Sequence, residues 1–508
     1  MALTFHPPST QRVFDACVIG SQLGGVVAGA LLAKRGYRVL HVDHDGLGPT
    51  YEDQGWLLPH GPLLMPSPRL LPAAEIALQE LGLLTDVQRA LEPSAPDLQL
   101  ILPRARLELA RDPVQRAAEL AREWPADAAR IEAALADLHR RFEAISPFLR
   151  ALPPLPASGL LERWRLSRAR RTSGAPGQAP PPLEEAPLRE LADHPLGRAL
   201  QVVARFLGYL DGELPPLSAV RLLGAVLRGG HRLPGGVEGL RETVRRKIAE
   251  SRGELLGSET APAIASGLEL DGHRIASVRV AGSHDAFTAR VFLAATDAMA
   301  VRRLLPEAER TGRRARPLQE MRVHRQVATL NWVLLPGGLP PGLGETAICL
   351  PSEGGESEAV LLQTQPARRS PGKGEKRDGT VVLTAATFLP AAARDQGESG
   401  LAAWAASIRA SVSELLPFFE GHVLLESMPL LAAPRERRGS RLMPHPLYEV
   451  GLPRTLGVTG LPTRSPWKNL IFAGREVVPG LGVEGEFHAG LQAAAAAERL
   501  LGKKDRPR

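Results

Sequence analysis

The sequence predicts an α/β protein in which a Rossmann-like domain is assembled from discontinuous segments and an α+β domain comes from the segments between them. Three observations predict this fold. A strand–turn–helix–strand pattern lies near the N-terminus, strands and helices alternate in the middle, and a glycine-rich strand–turn–helix closes the chain. At 508 residues the chain is long enough for two domains with sizeable cores.

The first unit is predicted from the apolar run 16–19, which is typical of a central parallel strand covered on both faces. A helix follows over Leu23–Lys34, with small residues that permit close packing on the sheet, and Gly36 ends it. Residues 38–42 form the next strand. Such a strand–helix–strand unit has a right-handed crossover.

Further elements are predicted from periodicity and from proline and glycine content. Residues 153–187 are rich in proline and glycine and are predicted to be loop or partly disordered, and 367–377 is predicted to be a basic hairpin loop. The predicted helices are 73–83, 113–148 and 240–251, and the predicted strands are 253–256, 275–280, 289–294, 327–335, 359–365 and 380–388.

Composition narrows the classes of function. Two cysteines cannot form a disulfide framework, Cys17 is expected to be buried in the first strand, and no Cys/His cluster has zinc-ligand spacing. The net charge of +7 comes without a nucleic-acid motif and with only 4% aromatic residues, so no nucleic-acid partner is expected. No apolar run has the length of a membrane span and no signal-peptide pattern is present, which predicts a cytoplasmic protein.

The turn after the first strand has the pattern of a phosphate-binding turn with one glycine missing. Backbone N–H groups at the start of a helix, in the run Gly20-Ser21-Gln22-Leu23-Gly24-Gly25, can hold a pyrophosphate, and Asp43 ends the second strand, where a carboxylate accepts hydrogen bonds from a ribose. Gln22 occupies the position where the backbone usually approaches the phosphates. Its amide either points outward and donates to a phosphate, or it weakens nucleotide binding.

The C-terminal segment predicts a second turn of the same kind. The apolar run 470–473 reads as a buried strand that ends at Gly474, and a Pro-Gly-Leu-Gly turn ending at Gly482 leads into a helix near Val483. The backbone N–H groups of Val483 and Glu484 would then stabilise negative charge. The alternative is a plain helix-capping turn.

The order of these motifs resembles the phytoene desaturase and carotenoid desaturase/isomerase group within the amine-oxidase-like flavoproteins. Four blocks carry the resemblance, at 18–43, 229–240, 257–264 with 291–297, and 469–490. The resemblance implies an FAD-binding domain made of segments 1–85, 225–300 and 455–508, and a substrate domain made of 86–224 and 301–454. It also implies an FAD-dependent oxidoreductase that dehydrogenates or isomerises a hydrophobic isoprenoid or polyene by hydride transfer to the flavin.

The resemblance also implies which residues bind the cofactor. The turn residues from Gly20 to Gly25 together with Asp43 contact the adenosine and pyrophosphate, Thr260 makes a backbone contact near the adenine, and the flavin ring is contacted by Gly474, Gly482, Val483 and Glu484. Catalytic residues are not identified. The acidic and histidine side chains of Glu484, Glu486 and His488 are weak candidates for a proton acceptor.

Two further departures from the family pattern leave alternatives open. Pro49 replaces part of a Gly-Gly-Arg-like element that wraps the cofactor, and Arg475-Glu476 follows Gly474 in place of a small or acidic residue. One alternative is an FAD-deficient or non-enzymatic relative that binds a lipid or protein partner on the same scaffold. Another is an amine oxidase, which usually has paired aromatic residues facing the flavin.

The segment 160–171 is predicted to form a short basic helix with two interpretations. Leu160, Leu161 and Trp164 could contact a membrane surface, or this could be a solvated helix tucked against its domain. Peripheral membrane contact and the oligomeric state therefore stay open.

Overall fold

A computed structural model of the chain describes residues 13–44, 48–173, 183, 185–257, 263–283, 286–351, 359–371, 379–432, 445–453 and 457–502. The helices within these ranges are α1 Leu23–Lys34, α2 Pro72–Leu81, α3 Leu84–Ala90, α4 Pro113–Glu123, α5 Ala128–Arg150, α6 Leu160–Thr172, α7 Pro195–Leu207, α8 Pro216–Val226, α9 Gly236–Glu250, α10 Ala298–Leu304, α11 Glu307–Arg310, α12 Arg316–Gln319, α13 Ala391–Asp395, α14 Glu398–Leu415, α15 Pro429–Ala432 and α16 Gly482–Leu501.

Within the same ranges the strands build four sheets. They are β1 Val13–Ile19, β2 Val39–Val42, β3 Thr50–Asp53, β4 Trp56–Pro59, β5 Leu64–Met65, β6 Glu92–Pro93, β7 Gln99–Leu102, β8 Ala105–Glu108, β9 His231–Arg232, β10 Glu254–Leu256, β11 Ala265–Asp271, β12 Arg274–Val280, β13 Ala286–Ala294, β14 Met321–Leu334, β15 Thr346–Cys349, β16 Val360–Pro366, β17 Arg368–Arg369, β18 Val381–Pro390, β19 Val423–Ser427, β20 His445–Val450 and β21 Leu470–Phe472.

The first sheet has seven strands and confirms the predicted Rossmann-like α/β fold. Its order is β10-β2-β1-β13-β12-β11, and β21 pairs with β13. The strands β10, β2, β1, β13 and β21 run parallel, whereas β11 and β12 form an antiparallel extension. Strands from three distant parts of the chain therefore end at one edge of the sheet, where such folds bind their ligands.

Helix α1 is buried along almost its whole length because apolar and small residues cover all of its faces. Residues 23–33 are all buried, and the helix packs between α9 and α16. A Cβ on Gly29 would lie 2.8 Å from Val18 Cγ2, and one on Gly490 of α16 would lie 2.6 Å from the carbonyl oxygen of Gly24. Glycines thus allow α1 to lie close to β1 on one side and to α16 on another.

The second large sheet has eight strands in the order β19-β14-β18-β16-β15-β7-β8, with β20 paired to β14. All neighbouring pairs are antiparallel except β15 with β7. Trp332 and its neighbours on one face pack against α14 in a separate apolar cluster. On the other face Asn331 donates to the carbonyl of Pro59 at 3.0 Å, which joins this sheet to β4. The domain limits drawn from the sequence remain a prediction.

One predicted helix is divided. The sequence predicts a single helix over 113–148, but α4 ends at Glu123 and α5 begins at Ala128, with Pro125 between them. Proline lacks the N–H that would continue the helix, which explains the break. The insert 367–377 is described only to residue 371, where Arg368–Arg369 pairs with β4.

Cys17 is fully buried, as the sequence predicts, and burial raises the pKa of its thiol well above the ordinary range. Among the described residues, no three His, Cys, Asp or Glu side chains are grouped to hold a metal ion. None of the helices described above is both long and apolar enough to cross a membrane.

Candidate functional site

The glycines of the N-terminal turn allow close packing between strand ends. Gly20 has a positive φ of 100°, and an added Cβ would lie 2.3 Å from the carbonyl oxygen of Ala295. A Cβ on Gly24 would lie 2.3 Å from the carbonyl oxygen of Ala473, and one on Gly25 would lie 2.1 Å from the Cβ of Ala295. These three glycines are therefore required by packing of the chain on itself, whether or not a nucleotide binds.

The C-terminal motif lies at the same edge of the sheet. β21 pairs with β13, which pairs with β1, so the turn at Gly474 is next to the turn at Gly20. Helix α16 begins at Gly482, whose φ is 55° and whose added Cβ would lie 2.1 Å from the carbonyl oxygen of Leu207. The structure thus brings together the two motifs that the sequence places at opposite ends of the chain.

Gln22 joins these two motifs directly. Its Oε1 accepts a hydrogen bond of 3.0 Å from the backbone N–H of Arg475, and its Nε2 donates to Asp297 Oδ1 at 3.3 Å. A Cβ on Gly474 would lie 1.9 Å from Gln22 Oε1, so the amide fills the space above this glycine. Gln22 is 4% exposed. It makes no side-chain cap for α1, at whose N-terminus it lies.

Asp43, at the end of β2, is buried and already has partners. Ser21 Oγ donates a short hydrogen bond to Asp43 Oδ1, and the guanidinium of Arg245 lies 3.9 Å from Oδ2. Burial acts to raise the pKa of Asp43, but His41, the Ser21 hydroxyl and the charges of Arg241 and Arg245 together hold it below its ordinary value. Asp43 is therefore an ionised acceptor, and one of its oxygens is engaged by Ser21.

Glu484 is locked in a buried ion pair. Its two oxygens accept from Nε and Nη2 of Arg221, both at 3.0 Å, and the two side chains are 3% and 0% exposed. Burial raises the pKa of Glu484 while Arg221 opposes that rise. The guanidinium of Arg221 also lies 4.0 Å from the ring centre of Phe142. The carboxylate of Glu484 is thus held by Arg221, which does not match the expected role of a proton acceptor.

A buried polar cluster surrounds Arg475. Its guanidinium lies 5.2 Å from the ring centre of Tyr209, whose hydroxyl donates to Glu486 Oε1 at 2.8 Å. Burial acts to lower the pKa of Arg475, but Glu486 and its other neighbours raise it well above the ordinary value, so it stays charged. Tyr448 donates to Asp297, which connects the cluster to Gln22.

Tyr209, Tyr448 and Arg221 were missed by sequence reasoning. They lie outside every glycine-rich motif, on or beside elements of the predicted substrate domain. The sequence does single out Glu486 and Arg475, and Asp297 ends one of the blocks that carry the resemblance, but the sequence does not bring the three together. His488 lies elsewhere, since its Nε2 bonds the carbonyl of Pro153 at 2.8 Å and burial lowers its pKa to about 4.

A small cavity of about 40 Å³ adjoins Val483 and Glu484. The polar groups of its lining are Tyr209, His445, Arg221 and Glu484. The remaining lining is apolar: Pro62, Leu64, Pro66, Leu71, Phe206, Leu207, Leu222, Ala225, Val237, Leu481 and Val483.

Pro49, a departure from the family pattern, and Thr260, a residue that the pattern assigns to the cofactor, have different outcomes. Pro49 packs against the turn before α9, since a Cβ on Gly235 would lie 2.8 Å from the Cβ of Pro49. Thr260 lies outside the described residues, as do residues 45–47. The predicted adenine contact therefore stays a prediction.

FAD fits this arrangement only in part. The uncapped start of α1, the ionised Asp43 and the backbone N–H of Arg475 are groups that suit a dinucleotide. However, Gln22 occupies the N–H of Arg475 and the space over Gly474. The blocking atoms belong to the far end of a flexible side chain. Rotation of the Gln22 amide would therefore uncover the N–H of Arg475 and the space over Gly474.

Comparisons with known proteins agree with the fold. Residues 18–79 match the family described as NAD(P)-binding Rossmann-like domain. No curated protein sequence matches the chain.

Several solved structures share the architecture over nearly the whole chain. An oxidoreductase from Methanosarcina mazei is 13% identical with a TM-score of 0.56, and the alignment covers 95% of this chain and 100% of the other. The cyclohexylamine oxidase from Brevibacterium oxydans is 17% identical with a TM-score of 0.53, covering 96% and 99%. A putrescine oxidase mutant is 16% identical with a TM-score of 0.57, covering 96% and 99%. Identities this low establish a shared fold and leave the activity open.

Proposed function

We propose that this chain is an FAD-dependent oxidoreductase acting on a hydrophobic substrate, isoprenoid or polyene in class, with a cofactor site that Gln22 closes. One observation carries the proposal: the two glycine-rich motifs meet at one edge of the sheet, where Gln22 Oε1 accepts a hydrogen bond from the N–H of Arg475. An amide oxygen and a phosphate oxygen are both acceptors for such an N–H. Gln22 therefore acts as an internal substitute for the phosphate.

The residues that would hold FAD are those already at the sheet edge. Asp43 would accept hydrogen bonds from the ribose, and the backbone at the start of α1 and at Arg475 would donate to the pyrophosphate. The N-terminus of α16, at Val483, would stabilise negative charge. When bound, FAD supplies the acceptance of a hydride from the substrate. The chain supplies orientation and the exclusion of water.

At about 40 Å³ the cavity beside Val483 has room for only a small part of a polyene, and its mainly apolar wall supports a hydrophobic group there. Its wall contains leucines at five positions and two aromatic side chains suited to apolar contact, Phe206 and Tyr209. The mainly apolar composition of this wall favours contact with an aliphatic group. The relatives named as amine oxidases share the fold, and their substrates do not follow from it.

A second function is favoured by the ion pair of Glu484 with Arg221. The resemblance implies a flavin contact at Glu484, and Arg221 engages both carboxylate oxygens of this residue, which leaves only its backbone N–H for such a contact. Together with the closed Gln22 contact, this supports an FAD-deficient relative that binds a lipid or a protein on the same scaffold.

Anaerobic reduction of bound flavin tests the proposed activity. Protein reconstituted with FAD is mixed with a polyene such as phytoene, and in parallel with a primary amine. The proposal predicts that the polyene bleaches the flavin absorbance and the amine does not. Bleaching by the amine alone would contradict the substrate class, and failure to load FAD under any condition would favour the second function.

A further inference from the structure

We infer that helix α6 is a docking surface for an anionic lipid membrane. The docking face is defined by Leu160, Leu161, Trp164, Arg168 and Arg171. The first three are 87%, 59% and 53% exposed, which is unusual for large apolar side chains on a folded domain. This inference does not depend on the proposed cofactor or substrate.

The exposed apolar residues lie on one side of α6. With 3.6 residues per turn, the five residues of the docking face project in similar directions, and Leu166 projects in the opposite direction. Leu166 is 1% exposed and attaches α6 to the rest of the protein. The helix is therefore tucked against its domain through Leu166, while Leu160, Leu161 and Trp164 face solvent and are available to a partner.

The charge of α6 is strongly positive. It contains five arginines, at 163, 165, 168, 170 and 171, and its one acidic side chain, Glu162, accepts from Ser158. Within the described ranges none of these arginines forms an ion pair. The guanidinium of Arg168 lies 5.7 Å from the ring centre of Trp164, so cation and indole lie together on the docking face.

Positive charge continues beyond the helix. Burial lowers the pKa of Arg499, at the end of α16, and the charges of Arg464 and Arg165 lower it further, while Glu162 and Glu498 act in the opposite direction. Like charges gathered in this way repel each other and are relieved by an anionic partner.

An anionic membrane matches both features of the docking face. Leucine and tryptophan enter the boundary between headgroups and acyl chains, and arginines bind lipid phosphates. A nucleic acid would match the charge but would leave Leu160 and Leu161 without an apolar partner.

Flotation of the full chain with vesicles tests this inference. One set of vesicles contains phosphatidylglycerol mixed with phosphatidylcholine, and the other contains phosphatidylcholine alone. We expect the protein to float with the first set only, and less at high salt. The variants L160S/W164S and R168E/R171E should each bind at least about tenfold more weakly. Circular dichroism checks that each variant is folded.

Phe418→Ser is the matched control, because Phe418 is 84% exposed and belongs to another part of the chain. Its binding should equal that of wild type. The inference is overturned if the protein binds neither set of vesicles, or if it binds neutral and anionic vesicles equally well. It is also overturned if F418S loses as much vesicle binding as L160S/W164S. It is also overturned if the docking face instead mediates self-association, seen by sedimentation as a dimer that the α6 variants abolish.

Discussion

The side-chain amide of Gln22 and the backbone N–H of Arg475 are joined by a hydrogen bond of 3.0 Å across 453 residues of sequence. The bond connects the two glycine-rich motifs that the resemblance assigns to one cofactor. Under the proposed function it also gives a physical meaning to the replacement of the middle glycine, because the side chain would close the site by supplying the acceptor that a phosphate would otherwise provide.

Gly25 should not tolerate alanine. The new Cβ would lie 2.1 Å from the Cβ of Ala295, so α1 would have to move away from the sheet. We expect Gly25→Ala to lower the free energy of unfolding by about 2 kcal/mol, measured by urea denaturation. Gly61→Ala is the control, since its added Cβ meets no heavy atom within 4 Å. Equal stability of the two variants would argue against the close packing described here.

Removing only one partner of the ion pair between Arg221 and Glu484 should strongly lower the free energy of unfolding. Arg221→Met leaves a buried carboxylate without its cation and is expected to cost about 3–5 kcal/mol of unfolding free energy. The double variant with Glu484→Met should recover part of that loss, because neither charge remains. On the surface, Glu75→Gln, which removes the partner of the half-exposed Arg150, should cost less than about 1 kcal/mol. Additive losses in the double variant would contradict a coupled buried pair.

Acid should destabilise the fold partly through His488. Burial lowers its pKa from 6.5 to about 4, so between these values the unfolded chain binds a proton that the folded chain does not. Stability contributed by the neutral ring is therefore present above pH 6.5 and is lost as the pH falls towards 4. His488→Gln should reduce the dependence of unfolding free energy on pH by up to about 1.4 kcal/mol per pH unit in that window.

The difference in pH dependence between H488Q and wild type reports His488 alone, because the other buried groups titrate in both proteins. Glu476 titrates in the opposite sense, because burial and the charge of Asp297 raise its pKa to about 8. His324→Gln serves as the control, since that side chain is 58% exposed. An identical pH dependence in H488Q and wild type would contradict the account.

The fold of the sheet edge could be predicted because its pattern is local. The apolar run of β1, the small residues of α1 and the glycine-rich entry to α16 each indicate their element without reference to the rest of the chain. The break between α4 and α5 was also indicated locally, by Pro125, but helical periodicity on both sides outweighed it.

The partners within the site could not be predicted in the same way. Arg221 and Glu484 are 263 residues apart, and Tyr209 and Glu486 are 277 apart. Neither pair has a spacing that a single sequence reveals. Gln22 was recognised as a departure with two open outcomes. Its contact with Arg475 depends on how β1 and β21 flank β13, which only the assembled sheet determines.

FAD binding by wild type and Gln22 variants, followed by the visible absorbance of bound flavin, tests the central claim most directly. A hydrogen bond contributes about 1 kcal/mol, so Gln22→Gly, which frees the N–H of Arg475, should bind FAD about five- to tenfold more tightly than wild type. Gln22→Glu keeps the acceptor and adds a negative charge, so it should bind more weakly. Tight binding by wild type that Q22G abolishes would contradict the claim and make Gln22 a ligand of the cofactor.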